Sequence, residues 1–144
     1  MSIKKSDILK IENQICFKLY TASRLVTQAY YPILEKYDLT YTQYLILLLL
    51  WEYESLTVKE IGKHLYLDSG TLTPLLKKME TKGFINRKRT NDDERIVKIT
   101  LTKKGEDLSE NAENIPKEVF CKFNSDPSDI LILKKLLDKI IHNG

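Results

Sequence analysis

From Thr57 to Leu101 the chain reads TVKEIGKHLYLDSGTLTPLLKKMETKGFINRKRTNDDERIVKITL, and this stretch decides the fold. Thr57 and Glu60 have the spacing of a capping box, in which each side chain satisfies an orphan amide at a helix start. Ser55-Leu56-Thr57 is thus expected to open a short helix, with Ile61, Leu65 and Leu67 on its inner face. Asp68-Ser69-Gly70 offers a turn and an N-cap. A second helix is expected from about Thr71 to Lys82, ending at Gly83, the residue type favoured just past a helix end. Pro74 then falls in the first turn, where a missing amide proton costs little. Two short helices on a tight connection make a helix-turn-helix, the second being the recognition helix.

Two β-like stretches follow, Phe84 to Lys88 and Ile96 to Leu101. In the second, Val97, Ile99 and Leu101 alternate with Lys98 and Thr100 as in a half-buried strand. The loop between them, Arg89 to Arg95, carries no apolar residue. A hairpin directly after a helix-turn-helix is a wing. The expected fold is mainly α with a small β-hairpin wing, a winged helix-turn-helix over about residues 42–102.

Outward from this unit the chain is helical. Ile8, Ile11, Ile15, Leu19, Ala22, Val26, Ala29 and Ile33 recur at helical spacing up to about Glu35. Thr42 to Glu52 reads as a nearly fully buried central helix. Thr102 caps a helix from Lys103 to about Phe123, interrupted near Pro116, and a last helix runs from about Pro127 to His142. Residues 8–36 and 103–142 are expected to form a homodimer, within a single domain spanning 1–144.

Composition narrows the function. The longest apolar run, Tyr44 to Trp51, is far too short to span a bilayer. With no secretory leader pattern, a cytoplasmic protein without a membrane partner is expected. Between Asp68 and Lys104, ten Lys and Arg face five Asp and Glu, while the remainder of the chain is slightly acidic. One basic third suits a polyanion-binding surface, although a merely solvated basic face fits the charge equally well. His64 and His142 are isolated, so neither a metal site nor a cofactor is expected. Cys16 and Cys121 form no Cys-x-x-Cys motif; in a reducing compartment such a pair is more often catalytic or sensory than structural if it bonds at all, while on position alone Cys16 is a small core hydrophobe.

Several motifs resemble the MarR family of bacterial regulators: Lys82-Gly83-Phe84-Ile85-Asn86-Arg87, Asp92-Asp93-Glu94-Arg95, and Leu101-Thr102-Lys103-Lys104-Gly105. Three others are similar to its organic-hydroperoxide-sensing OhrR-type branch: Glu12-Asn13-Gln14-Ile15-Cys16-Phe17, Leu39-Thr40-Tyr41-Thr42-Gln43-Tyr44, and Leu67 to Pro74. The match runs over roughly residues 8 to 120. It implies a non-enzymatic, symmetric dimer that represses genes from a pseudo-palindromic double-stranded operator. It also implies that Cys16 senses organic hydroperoxide, and that Cys121 makes this a two-cysteine member whose pair joins across the dimer.

On that basis Ser69, Thr71 and Thr73 are expected to contact phosphates or base edges, and Lys77 and Lys78 phosphates. Capping is the plainer role for Ser69 and Thr71. In the wing, Arg95 is expected in the minor groove with Asp93 holding its guanidinium, and Arg87, Lys88 and Arg89 on phosphates. A peroxide-reactive thiol must be thiolate, and ordinary thiols are only a few per cent ionised near pH 7. Cys16, taken as mid-helix, gains little from the helix dipole. The resemblance implies that Tyr30 and Tyr41 donate to the sulfur, with Tyr20 nearby. Without it, all three are packing residues. A regulator controlled by a reversible small aromatic ligand, a thiol peroxidase and a protein-interaction winged helix are the competing functions.

Overall fold

The computed structural model describes residues 5–123 and 126–144, with side chains from residue 7 onward. In chain order it contains α1 (Lys5–Ile8), a 3-10 turn (Ile11–Asn13), α2 (Ile15–Leu34), a second 3-10 turn (Glu35–Tyr37), α3 (Tyr41–Tyr53), β1 (Ser55–Thr57), α4 (Val58–Leu65) and α5 (Ser69–Thr81). β2 (Ile85–Arg89), β3 (Val97–Leu101), α6 (Lys103–Ala112), α7 (Ile115–Lys122) and α8 (Pro127–Asn143) follow.

The centre is α3. Thr40 and Gln43 form a reciprocal capping box at its start, at the same three-residue spacing as Thr57 and Glu60. Ile46, Leu47 and Leu50 are fully buried on it, against Ile61 of α4, Leu72, Leu76 and Met79 of α5, and Ile99 of β3. Burial of such side chains, at roughly 1.5–3 kcal/mol each, is what sets these short helices around it.

The sheet corrects the sequence reading. Ser55–Thr57 does not begin a helix but forms β1, antiparallel to β3 with Leu56 opposite Ile99. The strand order is β1-β3-β2, so the wing hairpin is anchored by a third strand. The capping box still holds, since Thr57 both ends β1 and caps α4, with Glu60 accepting from its amide at 2.7 Å.

Two helix starts also differ. The pattern from Ile8 to Ile33 is not one helix: Asn13 Nδ2 donates to the Asp7 carbonyl at 2.7 Å and Gln14 Nε2 to the Ile8 carbonyl. These side-chain amides satisfy the carbonyls of the preceding turn, and α2 begins only at Ile15. The recognition helix begins at Ser69, because Asp68 is its N-cap. Pro74 is therefore its sixth residue rather than part of the first turn. The carbonyl that Pro74 cannot reach belongs to the exposed Gly70, where water can satisfy it.

The family-like motifs around Gly83 and Gly105 meet at one junction. Gly83, with φ of 78°, ends the recognition helix in the left-handed conformation open to glycine. Thr102 Oγ donates to the Gly83 carbonyl and also caps α6 through the Gly105 amide. A Cβ on Gly105 would lie 2.2 Å from the Phe84 carbonyl oxygen. The Trp51 indole N–H donates to the Gly105 carbonyl at 2.9 Å, tying α3 to the same point.

At the periphery apolar residues remain uncovered. Ile8, Leu9, Ile11, Ile15 and Phe17 at one end, and Leu131, Ile132, Leu133, Leu136, Ile140 and Ile141 on α8, are all exposed. No helix among the described residues is long and apolar enough to cross a membrane.

Candidate nucleic-acid interface and reactive thiol

The Asp68 carboxylate accepts from the Thr71 amide at 2.8 Å and from its hydroxyl at 3.1 Å. These bonds, the amide first, hold the Asp68 carboxyl below its ordinary range. With Asp68 as the cap, the Ser69 hydroxyl is not consumed by capping, and Ser69 is exposed. Thr73 Oγ donates to the Ser69 carbonyl at 2.7 Å, so toward solvent that hydroxyl acts as an acceptor.

Between α4, α5 and the wing lies a groove of about 800 Å³. It gathers Ser69, Thr73, Arg87 and Arg95 from the expected set, and adds Lys59 and Lys63 of α4. Those two lysines were missed because periodicity alone cannot tell a groove-facing lysine from a solvated one. Thr71, Lys77 and Lys78 are exposed on α5, and Lys88 and Arg89 are exposed on β2.

The wing side chains are arranged differently from expectation. Asp93 Oδ1 accepts from the Arg95 backbone amide at 2.9 Å, and no ion pair joins it to the guanidinium among the described residues. Thr90 Oγ donates to the Asp93 carbonyl at 2.8 Å, and the Ile96 amide donates to the same carbonyl at 3.0 Å. Asp93 therefore shapes the tip, and the Arg95 side chain, not tied to that carboxylate, lines the groove. Arg87 is held by Glu80 of α5, Nη1 to Oε2 at 3.4 Å.

Cys16 is the second residue of α2 and exposed, so the mid-helix expectation is corrected. Cys121, in the last turn of α7, is exposed too. Tyr30 and Tyr41 come together, ring centroids 4.8 Å apart, with Tyr44 as an unforeseen third member at 5.8 Å from Tyr30. Burial, then the neighbouring Tyr41 and Tyr44, pushes the Tyr30 phenol up to about 12. Burial raises Tyr41 and Tyr44 as well. These phenols stay protonated, hence donors, at neutral pH. Tyr20 stands apart, exposed, with Arg24 over its ring at 5.5 Å. Tyr30 lies fourteen positions beyond Cys16 along α2, about 21 Å at helical rise, so one subunit does not bring the sulfur to its own phenols.

A helix-turn-helix packed on a three-stranded sheet with a projecting hairpin defines a winged-helix protein. Residues 28–112 match the model described as transcriptional regulator SarA/Rot, and the chain belongs to this family of non-enzymatic transcriptional regulators, MarR-like in kind. It is 53% identical over 133 residues to the organic hydroperoxide resistance transcriptional regulator of Bacillus subtilis strain 168, covering 92% of this chain and 90% of that protein. Reduced AbfR bound to DNA superposes with a TM-score of 0.79 at 35% identity, over 96% of this chain and 98% of that one. Disulfide-formed AbfR superposes with a TM-score of 0.66 at 37% identity, over 95% and 96% respectively. Its close relatives are thus redox-sensing and hydroperoxide-responsive regulators, and AbfR has been seen reduced, disulfide-bonded and on DNA.

Proposed function

We propose that this chain is a cytoplasmic, single-domain repressor that grips a pseudo-palindromic DNA operator as a homodimer and lets go when organic hydroperoxide oxidises Cys16. The observation that carries the reading is the separation between Cys16 and the phenol cluster. Cys16 lies at the exposed start of α2, while Tyr30 and Tyr41 pair at its far end. Antiparallel pairing of two α2 helices across a dimer brings each sulfur to the other subunit's phenols, and covers the uncovered apolar ends of the chain.

In this dimer the two recognition helices enter successive major grooves about 34 Å apart, with Ser69, Thr71 and Thr73 at the base edges. Lys77, Lys78, Lys88 and Arg89 meet phosphates, and Arg95 enters the minor groove. Arg87 faces the groove while anchored to Glu80. The Cys16 thiolate attacks the hydroperoxide, forming a sulfenic acid and releasing the alcohol. The Cys121 thiol of the other subunit then displaces water from that sulfenic acid, leaving a disulfide. Bridging requires the two Cα atoms within about 7 Å; where they start further apart, closing the bond drags a helix, and the reading heads move with it.

Operator release measured with and without an organic hydroperoxide tests this. Wild type dissociates and Cys16→Ser stays bound. Oxidised wild type runs as a covalent dimer on a non-reducing gel, and Cys121→Ser does not. Release of Cys16→Ser by hydroperoxide would refute the sensor role. Release of Cys16→Ser by a small phenolic acid instead would favour a ligand-controlled regulator.

A further inference from the structure

Three helix ends in this chain pass through the left-handed conformation: Asp38 at φ 56°, Tyr66 at φ 55° and Gly83 at φ 78°. Glycine enters that region freely and aspartate tolerates it, whereas a bulky aromatic residue is strained there. Tyr66 nevertheless closes α4, with the Leu67 amide returning to the Gly62 carbonyl at 2.9 Å. The fold draws little from its ring in exchange. Tyr66 is 73% exposed, and neither its ring nor its hydroxyl has a hydrogen-bond, aromatic or cationic partner among the described residues. Glu54, also at positive φ, differs in that α3 must turn there within one residue into β1.

The position of this strained residue is informative. Tyr66 is the turn of the helix-turn-helix, two residues before the Asp68 cap of the recognition helix. Lys63 before it and Leu67 after it both line the groove that holds Ser69 and Arg95. Tyr66 does not itself line that groove, but three residues of chain reach at most about 11 Å, so its Cα lies within that distance of Ser69 at the start of the recognition helix. A tyrosine hydroxyl is a common donor to DNA phosphates.

We propose that Tyr66 is a further DNA-binding residue, a neutral clamp whose phenol O–H donates to a backbone phosphate flanking the bases read by α5. The strained turn aims the ring outward from the fold. This inference rests on the DNA-binding reading above and adds a residue outside its set. A phosphate contact positions the protein without reading sequence, so it strengthens binding to operator and unrelated duplex alike.

The test compares wild type, Tyr66→Phe and Tyr66→Gly by fluorescence anisotropy, with an operator duplex and an unrelated duplex over a salt series. Urea unfolding and dimer mass are measured alongside. Tyr66→Phe is expected to weaken binding of the dimer to both duplexes about a hundredfold, about tenfold for each of the two hydrogen bonds to a charged group that it removes. The slope against salt stays unchanged, because a phenol displaces no counterion. Tyr66→Gly is expected to bind as weakly or more weakly, yet unfold at an equal or higher urea concentration because the strained turn relaxes. If both variants bind like wild type, Tyr66 is not a DNA contact and the DNA-binding reading stands. If Tyr66→Gly loses affinity and stability together, the ring is structural and the proposal is overturned. If wild type binds neither duplex, the DNA-binding reading falls, and this inference with it.

Discussion

Glu80 of the recognition helix binds Arg87 of the wing twice, accepting from its amide at 3.2 Å and from its guanidinium at 3.4 Å. The two elements that read DNA are therefore joined below their tips by one carboxylate. Glu80→Ala is expected to weaken operator binding about tenfold by freeing the wing. Its urea stability should change by less than about 1 kcal/mol, since the pair is partly exposed. Anisotropy and urea melts on the same preparation separate the two quantities.

Asp93 and Arg95 allow a sharper distinction. Because the carboxylate holds the Arg95 backbone amide, an amide oxygen can replace it. Asp93→Asn should keep near-wild-type operator affinity, and Asp93→Ala should lose several-fold. Arg95→Ala should lose at least about tenfold with dimer and fold intact, consistent with a minor-groove contact. Equal losses for Asp93→Asn and Asp93→Ala would mean that charge, not turn geometry, is what Asp93 supplies.

Gly105 is a packing requirement. A methyl group there would meet the Phe84 carbonyl oxygen, a backbone atom that cannot swing aside. Gly105→Ala should cost about 2–3 kcal/mol in urea unfolding. Gly70→Ala is the control: its Cβ would lie 3.0 Å from Asp68 Oδ1, the end of a movable side chain. Because that oxygen also caps the Thr71 amide, the variant should cost less than Gly105→Ala, about 1 kcal/mol or less, with the better helix propensity of alanine offsetting a slight displacement of the cap.

The phenol cluster gives a pH signature. The folded Tyr30 phenol is raised from 10.0 to about 12, so between those values the folded state binds more protons than the unfolded chain. Stability contributed by Tyr30 is therefore fully present below pH 10 and is lost as pH rises toward 12. Urea midpoints measured through this window should fall more steeply for wild type than for Tyr30→Phe. Parallel curves would show that the Tyr30 hydroxyl is not desolvated.

How much of this was legible in the chain depends on the range of the interaction. The capping box at Thr57 and Glu60, the stop at Gly83 and the alternation of Val97, Ile99 and Leu101 are local signals, and all three hold. Ser55–Thr57 carries no period of its own in three residues and so looks like a helix start; the strand exists because Ile99 stands opposite Leu56. Ile8 to Ile33 kept a helical period across a break that Asn13 and Gln14 impose, and moving the helix start to Ile15 changes the setting of Cys16.

The winged-helix class and the residue types on the recognition helix and wing were readable from the chain alone, because caps, turns and periodicities act within a few positions of one another; β1 and the break before Ile15 were not. Only the tertiary structure decided that Asp93 grips a backbone amide, that Glu80 ties the wing to its helix, that Tyr44 joins Tyr30 and Tyr41, and that Tyr66 pays strain to stand in solvent. Those facts depend on which distant surfaces meet, and contact between residues far apart in the chain leaves no period to read.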